Sequence, residues 1–207
     1  MNEEQKMMSQ KSHTIRFMPI GDSYTIGNGL KIEERWPNLL VESLKEEGIY
    51  VEIIRNPAVS GYTAQSALEK EIPKFERDKP DFATLFIGTN DSFQSRNLEV
   101  FRDEYVELIN RMQNALTNKD QLVIITIPRY VDFPGIEGSG ITNEDIEKYN
   151  QIIREEASKK DLKIIDLYQI NTLVGKEYFI SDGVHPNANG VKIWHDAIYP
   201  VVFQLLK

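Results

Sequence analysis

Two kinds of apolar pattern alternate along this chain. In five short runs nearly every position is apolar or β-branched, and these predict strands over 13–20, 50–54, 82–87, 122–127 and 162–165. The run at 82–87 is continuously apolar, as expected of a strand covered on both faces. Between the runs, apolar residues return every three or four positions. Trp36, Leu39, Leu40 and Leu44 mark one face of a helix over 34–47. Phe101, Tyr105, Leu108, Met112 and Leu116 mark a longer helix, and Ile146, Tyr149 and Ile153 another. A final helix is predicted over 187–206, kinked at Pro200.

Caps and breakers bound these segments. Gly48 stops the first helix, Thr63 caps the next, and Pro73 breaks or restarts it. Asn97 caps the long helix, and Thr142-x-x-Asp145 forms a capping box. The longest irregular piece, 129–141, carries Pro134, Gly135, Gly138 and Gly140 and reads as a substrate-facing flap. Pro19 is awkward in a central strand because it removes a ladder donor, a small loss near the strand's end. Strands separated by helices imply an α/β fold: a parallel sheet of about five strands covered by helices on both faces. No repeat, linker or low-complexity tract divides the chain, so 13–207 reads as one domain preceded by a disordered lead, 1–12.

Composition narrows the function. Of 207 residues, 32 are acidic and 24 basic, giving a net charge of −8, and no basic run appears. That argues against nucleic acid or an anionic membrane as the main partner. With no cysteine, disulfides, thiol catalysis and Cys-ligated zinc are excluded. The N-terminus is polar, without the apolar centre of a signal peptide, and no run is long enough to span a bilayer. The expected location is therefore cytoplasmic; oligomeric state is left open.

The candidate chemistry gathers where strands end, the usual place for ligands in open α/β sheets. The first strand stops at Gly21-Asp22-Ser23-Tyr24. A serine hydroxyl is a weak nucleophile until a base takes its proton. Of three histidines, His195 lies within a helix and His13 in the lead or early strand. His185 lies in Asp182-Gly183-Val184-His185-Pro186, just before the last helix, and Asp182 can fold back on its imidazole across a turn that Gly183 eases. Donors for a developing oxyanion are available at Ser23 N–H, Gly61 N–H and the Asn90 amide. Each motif alone is an ordinary turn or cap.

The ordered set Gly21-Asp22-Ser23, Asn56 to Gly61, Gly88-Thr89-Asn90-Asp91 and Asp182-Gly183-Val184-His185-Pro186 resembles the SGNH (GDSL) hydrolase family of esterases, lipases, thioesterases and carbohydrate deacetylases. The resemblance spans Ile15 to the C-terminal helix. It implies a flavodoxin-like three-layer α/β/α fold, with Ser23 as nucleophile, His185 as base, Asp182 as its orienting partner, and Ser23, Gly61 and Asn90 as oxyanion hole. It implies no metal or organic cofactor. Pro19 and Tyr24 depart from the aliphatic residues usual at those sites. The Gly-x-Ser-x-Gly elbow of α/β-hydrolases is absent from the sequence.

The favoured reading is a serine esterase for short acyl esters, its partner a small-molecule or carbohydrate ester met in an open, shallow cleft. Tyr24, Phe93, Arg129 and Tyr130, with Phe133, are candidates to line that cleft. A carbohydrate O-deacetylase, lysophospholipase or thioesterase on the same site is the nearer alternative. A metal-dependent phosphoesterase using Asp22, Asn90, Asp91, Asp182 and His185, or a non-catalytic binding module, is the more distant one.

Overall fold

Five apolar runs become one parallel sheet. The strands are β1 (Ile15–Gly21), β2 (Val51–Ile53), β3 (Phe82–Phe86), β4 (Leu122–Ile125) and β5 (Lys163–Ile165), in the order β2-β1-β3-β4-β5. This is a computed structural model describing residues 14–170, 173 and 175–207; the expected lead 1–12 and His13 lie outside the described residues. Each strand is a residue or more shorter than its apolar run. The residues just beyond, such as Ile87 and Ile127, stay fully buried while the backbone turns into the loops above the sheet.

Pro19 is accommodated by the length of its neighbour. In β1 the odd positions face β2: Ile15 N–H donates to Tyr50 O and Phe17 O accepts from Ile54 N–H. Arg16 faces β3, its carbonyl accepting from Asp81 N–H. The nitrogen of Pro19 therefore faces β2, which pairs with β1 only from Ile15 to Phe17. The missing donor falls where the ladder has already ended.

The helices are α1 (Ser23–Ile26), α2 (Trp36–Glu46), α3 (Ala64–Lys70), α4 (Ile72–Asp78), α5 (Thr89–Phe93), α6 (Leu98–Ala115), α7 (Asn143–Lys159), α8 (Leu167–Ile170) and α9 (Ala188–Leu206). Asn97, Thr142 and Thr63 cap their helices as expected, and Gly48, at φ +81°, follows the C-terminus of α2. The segment before α2 is a separate turn, Ile32–Glu34, rather than the helix's first turn. Pro200 lies within α9, which continues through it.

One set of helices, α2 and α9, packs together; a second set joins α6 to α3, α4 and α7. These are the two layers that cover the sheet. The predicted stripe on α6 is buried from Phe101 to Met112, and Trp36 and Trp194 are core residues. Burying side chains of this size contributes roughly 1.5–3 kcal/mol each before entropy is counted. The strand order changes direction between β1 and β3, so the loops leaving these strands diverge and leave a crevice at the sheet's carboxyl edge.

Candidate active site

Five loops meet in that crevice. Ser23, Tyr24, Ser60, Gly61, Thr89, Asn90, Phe93, Tyr130, Gly135, Ile136, Val184 and His185 line a cavity of about 260 Å³. Its walls come from the ends of β1, β2 and β3, from the flap, and from the loop before α9.

The β1 loop turns sharply because Gly21 has no side chain. A Cβ there would lie 2.2 Å from Thr25 Oγ1 and 2.5 Å from the Phe86 carbonyl oxygen. Asp22 caps α1: its Oδ1 accepts from Tyr24 N–H at 3.0 Å, and its Oδ2 accepts from Asn90 Nδ2 at 3.2 Å. Asp22 is fully buried, and this burial pushes its carboxyl up to about 7 against the opposing pull of the Tyr24 N–H. Beneath it Glu71 accepts from Gly21 N–H at 3.2 Å, and burial pushes that carboxyl up to about 8. Asn56 Nδ2 holds Thr25 O at 3.0 Å, and Trp36 Nε1 holds Tyr24 O at 3.1 Å. Ser23 is thus presented by a backbone fastened at four points, with the residue itself 9% exposed.

The loop before α9 builds a different device. Asp182 Oδ1 accepts from Val184 N–H (2.8 Å) and His185 N–H (3.0 Å), while Oδ2 meets His185 Nδ1 at 2.7 Å. Burial would raise the Asp182 carboxyl, but the hydrogen bonds from His185 and Val184 outweigh it and hold it below the usual carboxylate range. An ionised carboxylate only accepts, so Nδ1 carries the hydrogen and Nε2 is the nitrogen with a free lone pair.

Among the described residues, neither Ser23 N–H nor Gly61 N–H has a hydrogen-bond partner. Gly61 has φ +85°, and a Cβ there would meet open space, so the glycine serves the backbone's left-handed turn rather than a tight fit. The Asn90 amide is aimed by two acceptors, Asp22 Oδ2 and, at 2.9 Å, Tyr62 O. Asp91 points elsewhere: it caps α3 through Ala64 N–H (3.0 Å) and pairs with Arg96 at 2.6 Å.

The candidate residues therefore divide. Ser23, Gly61, Asn90 and His185 share one cavity, and Asp182 stands behind the imidazole. No hydrogen bond joins the Ser23 hydroxyl to His185 among the described residues. Tyr24, Phe93 and Tyr130 line the cavity; Phe133 is buried against Phe179, and Arg129 pairs with Asp132 at 3.0 Å away from the lining. Sequence reasoning passed over Glu71, Asn28 and Ser60. Glu71 looks like any charged helix residue, and Asn28 reaches His185 across 157 positions. Among the described residues no three His, Asp or Glu side chains converge as a metal site, and no helix is long and apolar enough to cross a membrane.

The flap meets the loop before α9 through two glycines. Gly135 N–H donates to Gly183 O at 2.9 Å. A Cβ on Gly135 would lie 2.3 Å from the Asp182 carbonyl oxygen, and one on Gly183 2.6 Å from Gly135 N.

Sheet order defines the architecture, a three-layer α/β/α fold with a crevice at its switch point. The chain belongs to the GDSL-like lipase/acylhydrolase family, whose sequence model matches residues 20–193, and it is a carboxylic ester hydrolase. It is 23% identical over 171 residues to an arylesterase of Vibrio mimicus, a match covering 83% of this chain and 80% of the relative. Its fold is similar to that of a lipase/acylhydrolase from Enterococcus faecalis (TM-score 0.78, 22% identity, 93% of this chain and 97% of that one). It is also similar to that of Axe2, an acetylxylan esterase from Geobacillus stearothermophilus (TM-score 0.72, 16% identity, 91% and 94%).

Proposed function

We propose that residues 13–207 form one catalytic unit that hydrolyses short-chain acyl esters through an acyl-enzyme on Ser23. The observation that supports this is the sharing of a single small cavity by Ser23, Gly61, Asn90 and His185, with Asp182 setting the imidazole tautomer. In this reading the Ser23 Oγ attacks the ester carbonyl carbon as its proton passes to His185 Nε2. Asp182 stabilises the imidazolium and holds the ring. The carbonyl oxygen, now anionic, accepts from Ser23 N–H and Gly61 N–H, and from the Asn90 amide as it turns one of its two hydrogens away from Asp22 Oδ2 or Tyr62 O. Each such donor is typically worth about 3 kcal/mol in the transition state. Collapse breaks the ester C–O bond, and the alcohol leaves with the proton from His185. Water then attacks the acyl-serine with His185 again as base, and the acid and free Ser23 are released.

A cavity of about 260 Å³ lies below the usual range of roughly 300–1,000 Å³ for sites that enclose drug-sized ligands. It suits an acetyl- to butyryl-sized group held by Tyr24, Phe93, Tyr130, Ile136 and Val184, with the alcohol part left outside. An alcohol part outside the cavity leaves room for a carbohydrate, in keeping with the acetylxylan esterase among its structural neighbours.

The test is turnover of p-nitrophenyl esters of increasing chain length, alongside acetylated xylo-oligosaccharides, by the wild type and by Ser23→Ala. The variant should lose at least about 10⁴-fold in kcat. Full activity in Ser23→Ala would overturn the assignment of the nucleophile, and a preference for long chains would overturn the short-acyl reading.

A further inference from the structure

The imidazole of His185 has a second neighbour at the nitrogen that Asp182 occupies. Asn28 Nδ2 stands 3.3 Å from His185 Nδ1, and Asn28 Oδ1 stands 3.3 Å from the Ser60 hydroxyl. Ser60 immediately precedes Gly61. Asn28 therefore bridges two residues that line the cavity, His185 and Ser60, the second next to a candidate oxyanion donor.

The hydrogen-bond chemistry of this bridge has one consistent solution. Asp182 is an ionised acceptor, so the hydrogen between it and the ring belongs to Nδ1. An amide N–H facing that ring N–H sets donor against donor. The two ends of a primary amide have the same shape, and their partners decide which end faces the ring. With the amide turned over, the Asn28 oxygen faces Nδ1–H. The Asn28 nitrogen then donates to the Ser60 hydroxyl, which accepts as readily as it donates. Every contact becomes donor to acceptor.

We propose that Asn28 is a positioning residue for the base: its amide oxygen shares the His185 Nδ1–H with Asp182, and its amide nitrogen fastens that arrangement to Ser60. This inference rests on His185 acting as base in the reading above. The groups facing the ring are Asp182, Asn28 and the edge of Tyr24, whose ring centroid is 5.9 Å away. A neutral carbonyl dipole at Nδ1–H supports the imidazolium less than a carboxylate does, and it limits rotation of the ring about its Asp182 bond. Asn28 is half-buried in a loop, so its replacement leaves the core intact.

The experiment compares Asn28→Ala, Asn28→Asp and Ser60→Ala with the wild type, reading kcat and KM against pH. Protein labelled with ¹⁵N-histidine is followed in parallel by NMR. Asn28→Ala should lower kcat about fivefold with KM within twofold, the effect of one lost neutral hydrogen bond. Asn28→Asp places a second carboxylate at Nδ1–H. It should move the acid limb of kcat/KM, and the NMR titration of His185, upward by about one pH unit. Ser60→Ala should act in the same direction as Asn28→Ala, more weakly. A packing role for Asn28 predicts an unchanged His185 titration in Asn28→Ala, whereas loss of a carbonyl that accepts Nδ1–H should lower it. If the His185 titration is the same in Asn28→Asp as in the wild type, the proposal is wrong. The NMR readout needs no turnover, so it separates failure of this proposal from failure of the Ser23 assignment, which Ser23→Ala reports.

Discussion

The two halves of the site are built by opposite means. The Ser23 side is held by the core: Glu71, Asn90, Asn56 and Trp36 reach the β1 loop from four other parts of the chain, and Asp22 at its centre has no exposed surface. The His185 side is held mainly by itself. Asp182 binds two backbone N–H groups and the imidazole within its own turn, and its side chain is 39% exposed. The Ile180 N–H to His185 O bond closes the loop, and the single strap from Gly135 ties it to the flap. In the proposed reading, the supports of the Ser23 loop cannot be removed without unsettling the fold, whereas the turn that holds His185 can be disarmed while the fold stands.

The sharpest way to break this comparison is Asp182→Asn. The amide oxygen can keep the turn by accepting from Val184 and His185 N–H, but the negative charge behind the imidazole is lost. Hydrolysis of p-nitrophenyl acetate should fall by about 10⁴-fold, with a thermal midpoint close to wild type. A large drop in that midpoint would show that the loop before α9 is as much a part of the core as the β1 loop.

Next in size is Gly135→Ala. The φ of Gly135 lies outside the left-handed region, so alanine suits the backbone; its methyl group does not suit the space, 2.3 Å from Asp182 O. The flap and the loop before α9 must part by an ångström or so. A displacement of that order at a catalytic group costs about 10²-fold in kcat. Steady-state kinetics beside a thermal melt would show whether, as expected, the loss is confined to catalysis.

The core-built side should reveal itself through pH. Asp22 and Glu71 rise from ordinary values of 3.8 and 4.5 to about 7 and about 8, in both cases chiefly through burial. The folded protein therefore holds protons that the unfolded chain releases. This contribution to stability is fully present below the unfolded values and is lost as pH rises through the folded ones, at up to about 1.4 kcal/mol per pH unit for each group. Melting temperature should fall between pH 5 and pH 8. Carboxyls held low, such as Asp182 and Asp166, lose their contribution only at more acid pH and do not mask the trend. Glu71→Gln keeps an acceptor for Gly21 N–H and removes one proton from the balance, so its melting curve should be flatter with pH. An unchanged slope would mean that Glu71 is ionised in the folded protein.

The same contrast explains what could be read from the sequence. The Asp182-to-His185 unit was legible because it is local: three residues of spacing and a glycine suffice to bring carboxylate and imidazole together. Strand and helix types were legible because their apolar periods differ, and Asn97, Thr142 and Thr63 announce their helices. The supports of the Ser23 loop were not legible. Glu71 lies in a charged helical stretch, and nothing local reveals that Gly21 will rest on it. Gly135 reads as one more loop glycine until the flap is seen against Asp182. Pro19 reads as a small loss near a strand's end, and only the short β2 shows that no ladder bond is due at that position.

The smallest expected effect marks where the site ends. Arg129 opens the flap; its position after β4 makes it a candidate to line the cleft, beside the more ordinary reading of an exposed salt bridge. Its guanidinium pairs with Asp132 at 3.0 Å and lies 5.9 Å over the Tyr168 ring, and Arg129 is not among the residues that line the cavity with Tyr130 and Ile136. Its side chain is 37% exposed. Partly exposed ion pairs of this kind contribute about 0–1 kcal/mol. Arg129→Ala should therefore leave kcat/KM for a short p-nitrophenyl ester within about fivefold, the most that such a pair supplies if all of it reaches the transition state. A rise in KM confined to anionic or acetylated sugar substrates would give the outer face of the flap a part in holding the alcohol, and would extend the site beyond the residues that line its cavity.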